Sequence, residues 1–122
     1  MKWRELDIRL FAVAASVLLS LLVIATQKVP NDDSYTYIRT AEIFLERGIG
    51  AALENYTWPV YSIGIGIVAS ITSLELFTSA LVLNGFFFAL LTWSFVSLVQ
   101  CTSADKRIAV IGALTILLYP QI

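Results

Sequence analysis

Residues 31–62 read NDDSYTYIRTAEIFLERGIGAALENYTWPVYS and form the only long polar interval in a chain otherwise compatible with hydrocarbon. The interval opens with adjacent carboxylates, Asp32 and Asp33, shortly after Pro30, which closes an apolar run long enough to cross a bilayer. Apolar side chains then recur at Tyr37, Ile38, Ala41, Phe44, Leu45 and Ile49 in helical three-and-four spacing, with Arg39, Glu42, Glu46 and Arg47 on the opposite face. This pattern predicts an amphipathic helix over about 34–47 that lies flat on a membrane interface. Gly48 and Gly50 read as its stop, and Trp58-Pro59 as an interfacial aromatic leading into the first turn of a new helix.

Outward from this interval the hydropathy is continuous. Upstream, residues 10–26 carry no charge, and Arg9 can snorkel to lengthen the run, so a span over about 9–26 is expected. Lys2, Arg4 and Arg9 outnumber Glu5 and Asp7 before it, which places the N-terminus in the cytoplasm and the 27–57 loop outside. A cleaved signal peptide competes with this assignment. However, the run exceeds the roughly 7–15 apolar residues of a signal core, and no A-x-A step follows.

Downstream, a second span is expected over about 58–74, where Gly64, Gly66, Ala69 and Ser70 permit close approach of a neighbouring helix. A third is expected over about 76–99, with Glu75 at the end where the helix dipole favours an acid. Asn84 falls inside it and needs a partner, most simply on a neighbouring helix. A partial fourth span, 108–122, contains Pro120 and suggests a piece of a longer protein. Counting three crossings from a cytoplasmic N-terminus puts Lys106 and Arg107 outside, against the usual distribution of positive charge. The expected fold is all-α: polytopic membrane helices with an amphipathic interfacial helix in the first external loop.

Composition agrees with this. The 122 residues are 58% hydrophobic, above the roughly 45–50% of soluble domains, and their mean hydropathy is +0.81. A net charge of −1 without a basic cluster argues against nucleic acid as a partner. There is no histidine, so acid or base chemistry rests on carboxylates. Cys101 is the single cysteine and reads as a small apolar filler. No phosphate-cradling loop or dinucleotide fingerprint occurs. Asn55-Tyr56-Thr57 fits the N-glycosylation pattern, but its nearness to the membrane makes the match fortuitous.

An acidic pair after the first membrane helix, an amphipathic helix with tyrosines near its start, and the Trp58-Pro59-x-Tyr61 step into the next helix together resemble the first external loop of the GT-C class of membrane glycosyltransferases. The likeness is to the family of protein O-mannosyltransferases and aminoarabinose transferases, and it extends from about the first helix to the third. Members of that family have many more membrane helices and a soluble domain. The resemblance implies an integral-membrane glycosyltransferase that uses a polyprenyl-phosphate-linked sugar donor, with an acceptor that it leaves open. A bacterial inner membrane fits it better than the endoplasmic reticulum. It also implies that a loop acid, Asp32 or Asp33, is the catalytic or metal-binding carboxylate, and that Trp58 and Tyr61 shape the active-site end of the second helix.

The residues themselves leave alternatives open. Asp32 or Asp33 can take the proton of an acceptor hydroxyl, or both can offer hard oxygen ligands to a divalent cation. Taken without the resemblance, the pair reads as a helix cap, with Asp33 or Ser34 accepting from the first turn. Arg39 can grip a phosphate bidentately or pair with Glu42 one turn on. Tyr35, Tyr37 and Tyr61 can line a sugar site or anchor at the headgroups. A second class of function also remains: a non-enzymatic multi-span subunit for membrane assembly or transport.

Overall fold

The computed structural model describes residues 7–118, and within them every regular element is an α-helix. They are α1 (Ile8–Thr26), α2 (Asp32–Asn55), α3 (Val60–Thr72), α4 (Leu76–Thr102) and α5 (Lys106–Leu118). Lys2, Arg4 and Glu5, used above for orientation, lie outside the described residues, as does Pro120 with the end of the partial fourth span.

Two helices are long and apolar enough to cross a membrane, α1 at 19 residues and α4 at 27. At 1.5 Å per residue they reach about 28 and 40 Å, against a hydrocarbon thickness of about 30 Å. α3 differs from expectation. It has 13 residues and reaches only about 20 Å, because Pro59 delays its start and Ser73, in the left-handed conformation at φ 57°, ends it. The stretch 58–74 is therefore not a full-length span.

α2 also departs from the expected 34–47. It starts at Asp32 and runs to Asn55, with a break at Gly48, whose φ of 82° and ψ of −178° belong to a region open essentially to glycine alone. Gly48 is thus the stop that the sequence predicts, whereas Gly50 sits in the helical turn that resumes after it.

The chain divides into two compact units. In the first, residues 7–21 of the N-terminal region pack with residues 85–118. Ala12, Val96 and Ala113 form its core, with Ile8 against them. A methyl group on Gly85 would come within 3.0 Å of Ser20 Cβ, and one on Gly112 within 3.2 Å of Val99 Cγ2. Small side chains set these contacts, the usual way for apolar helices to approach closely. The contacts also fix direction. Ser20 meets Gly85 and Arg9 lies over Trp93, so α1 runs antiparallel to α4. Gly112 meets Val99, so α5 turns back along α4. Arg9 lies 4.8 Å over the Trp93 ring and pairs with Asp7 at 2.6 Å, which spares its charge from apolar surroundings.

In the second unit, residues 22–84, α2 and α3 pack on the first part of α4. Ala41, Ile65 and Ala80 form the core, flanked by Tyr37, Tyr61, Leu76 and Leu83. Gly66 leaves room for α2, since a methyl there would come within 2.9 Å of Phe44 Cδ1. The face of α2 that reads as membrane-facing is therefore largely spent on α3: Ala41 is fully buried, and Phe44 sits against Gly66. Leu45, Ile49 and Leu53 of α2, four residues apart, are left outside, as is Tyr35 near its start.

Candidate functional site

The N-terminus of α2 is built by Asn31. Its extended backbone, φ −78° and ψ 171°, places the side-chain oxygen to accept from the Ser34 N–H at 2.9 Å, and the Ser34 hydroxyl donates to the same oxygen. The cap is accordingly neither Asp33 nor Ser34, as the acidic pair alone suggests, but the residue before the pair. Asp32 and Asp33 occupy the first turn, where the helix dipole favours negative charge, and both are exposed. Capping does not engage either carboxylate.

One turn after Asp33, Tyr37 stands at the centre of an aromatic cluster. Its ring meets Tyr61 edge-on at 5.2 Å between centroids and Tyr56 edge-on at 5.6 Å. Such edge-to-face pairs are worth about 0.5–1.5 kcal/mol beyond burial. Tyr37 holds its phenolic proton above the ordinary value near 10, first because of the Tyr56 phenol beside it, then through partial desolvation and the nearby Asp33 charge. Asp33 stands one turn before Tyr37 on the same helix face. Tyr61 donates its hydroxyl to Asn84 Oδ1 at 2.8 Å, which provides the helix-to-helix partner that Asn84 requires inside an apolar helix.

The residues singled out from the sequence separate into two groups. Tyr37 and Tyr61 come together, with Asp33 one turn away. Tyr35 and Trp58 are exposed, the latter at 76%, and neither enters the cluster. Arg39 is engaged by Glu42, the surface pairing weighed above against a phosphate contact. Among the described residues no group of three His, Cys, Asp or Glu side chains gathers to hold a metal. A divalent cation on Asp32 and Asp33 would take its other ligands from elsewhere.

Tyr56 and Asn31 are the positions of the candidate site missed in the sequence. Tyr56 joins the cluster because α2 folds back at Gly48, and Asn55 Nδ2 donates to Thr40 Oγ1 at 2.8 Å. Asn55, the acceptor position of the glycosylation triplet, thus holds its amide against its own helix. For Asn31 a signal was available: Asn three residues before Ser34 and directly after Pro30 is a strong cap candidate. Comparison of the chain with protein-family models, with curated proteins and with solved structures finds no match.

Proposed function

We propose that this chain is a membrane-embedded part of a glycosyltransferase of the GT-C type, which uses a polyprenyl-phosphate-linked sugar and carries its general base in the first turn of α2. Membrane residence is supported by exposure. Only 11% of the apolar window of α1 and 17% of that of α4 is buried within the protein, whereas a core helix of a soluble domain would be mostly covered. Leu10, Phe11, Leu18, Phe86 and Leu98 are all more than half exposed, and lipid is the solvent that such faces suit.

The observation that carries the enzymatic reading is the pair of exposed acids uncommitted to capping, at a helix N-terminus a few residues after a helix of bilayer length. A carboxylate there can take the acceptor proton while the sugar leaves its phosphate at the headgroup level. Asp33 has the stronger claim of the two, because it stands one turn before Tyr37 on the same helix face, where the aromatic rings offer a surface for a sugar face.

A second reading, a non-enzymatic membrane subunit, is favoured by the engagement of Arg39 with Glu42 and of Tyr61 with Asn84. Transfer assays on native membranes separate the two. Membranes lacking the protein should lose transfer from a polyprenyl-phosphate sugar and regain it with the wild-type chain but not with Asp33→Asn. Unchanged transfer in the deleted membranes would discard the enzymatic reading.

A further inference from the structure

From the direction of the helices we infer that between residues 8 and 102 the chain crosses the membrane twice, at α1 and α4. The α1 N-terminus, Lys106 and Arg107 then lie on the cytoplasmic side, and residues 27–75 both leave and re-enter from the outer side. This rests on the membrane reading above and not on sugar transfer.

Three observations lead to it. α1 and α4 are antiparallel, as the contacts of Ser20 with Gly85 and of Arg9 with Trp93 require. Eleven residues on α1 match eight on α4, about 16 and 12 Å of rise, so the two helices run against each other. The end of α1 and the start of α4 consequently lie at the same end of the pair, and any chain joining them crosses an even number of times. α3 is the only apolar helix between them, and its 13 residues reach about 20 Å. This is too short to traverse about 30 Å of hydrocarbon but long enough to enter one leaflet. Val60, Ile67 and Ile71 of α3 are exposed at 78, 48 and 79%, faces that lipid suits.

Charge agrees independently. The same antiparallel packing puts the α4–α5 turn, with Lys106 and Arg107, at the end of the pair where α1 begins and where Arg9 sits. Lys2 and Arg4 precede that end in the sequence. With three crossings these basic groups fall on opposite faces. With two they share the cytoplasmic face, as the positive-inside rule requires. The GT-C resemblance implies a crossing at 58–74, so the topology here departs from it.

The only cysteine provides the test. Cys101 is exposed near the end of α4, and a membrane-impermeant maleimide reports its side in vesicles of known orientation. Lys28→Cys in a Cys101→Ser background reports the α1–α2 connection. Cys101 should label only from the cytoplasmic side and position 28 only from the outside. Labelling of both from one side would mean three crossings, and the reverse arrangement would put the basic end outside; either overturns the inference. If lipid shields Cys101, Lys106→Cys is scored by the same rule. Release of the chain by alkaline carbonate would sink the membrane reading itself, a failure distinct from same-side labelling of a carbonate-resistant chain.

Discussion

Asn55 donates from Nδ2 to Thr40 Oγ1 across fifteen residues of chain, and this bond closes α2 on itself. Thr40 is fully buried and its hydroxyl donates a hydrogen bond to the Thr36 carbonyl. The bond therefore ties the short arm after Gly48 to the first half of the helix, and it brings Tyr56 onto Tyr37. Asn55→Ala should cost about 1 kcal/mol and speed amide hydrogen exchange over residues 49–55 without changing exchange in α1. Equal protection in the variant would show that the arm is held by its apolar contacts alone.

Gly48 and Gly50 look interchangeable in the sequence, and the backbone separates them. Gly48 needs φ 82° with ψ −178°, so Gly48→Ala should destabilise the protein by about 1–3 kcal/mol although nothing stands within 4 Å of the new methyl. Gly50 lies in the helix with the same open space, and Gly50→Ala should stabilise by up to about 1 kcal/mol. Thermal unfolding in detergent checks both, and the opposite order would refute the assignment of the kink.

Under the proposed function, Asp33→Asn should lower sugar transfer by about 10²–10⁴-fold with little effect on unfolding, because Asn31 carries the cap. Asp32→Asn should cost clearly less, since Asp33 and not Asp32 stands one turn from Tyr37 on the same helix face. Rates measured in the same membranes decide it. A larger loss with Asp32→Asn would reverse the roles, and near-normal transfer by both variants would leave the loop as an anchor.

Tyr37 provides a pH signature. A phenol is neutral when protonated, and its native pKa is raised from the ordinary value near 10, so the native state holds this proton more tightly than the unfolded chain. The resulting stability is complete below pH about 10 and is lost as pH rises through the native value. Tyr37→Phe, which keeps the ring contacts, should abolish the Tyr37 share of that alkaline loss and remove one late-titrating phenol from the tyrosinate absorbance curve, leaving that of Tyr61, which burial also raises. A curve unchanged by the substitution would place the late titration elsewhere.

Ser62 and Ser79 are fully buried, and their hydroxyls make no hydrogen bond. An unpaired buried polar group costs about 1–3 kcal/mol. Ser62→Ala and Ser79→Ala should therefore leave stability equal or raise it, as read by thermal unfolding in detergent. Clear destabilisation by either would mean that the hydroxyl has a partner in the membrane.

Uninterrupted apolar length alone determined α1 and α4, because a stretch without charges that reaches across hydrocarbon has one low-energy way to satisfy its backbone. Periodicity likewise sufficed to place a helix after Pro30, and the loneliness of Asn84 in an apolar run sufficed to demand a partner. Tertiary structure decided who covers what. A stripe of Tyr37, Ala41 and Phe44 is equally suited to lipid and to another helix, and only the glycine at position 66 on α3, seen in place, selects the helix. The choice of Asn31 over Asp33 as cap depends on which residue keeps an extended backbone while the next turns helical, a matter of one pair of dihedral angles. The shortness of α3 and the direction of α1 against α4 were likewise beyond hydropathy, which measures how apolar a segment is but not where it bends or which way its neighbour runs.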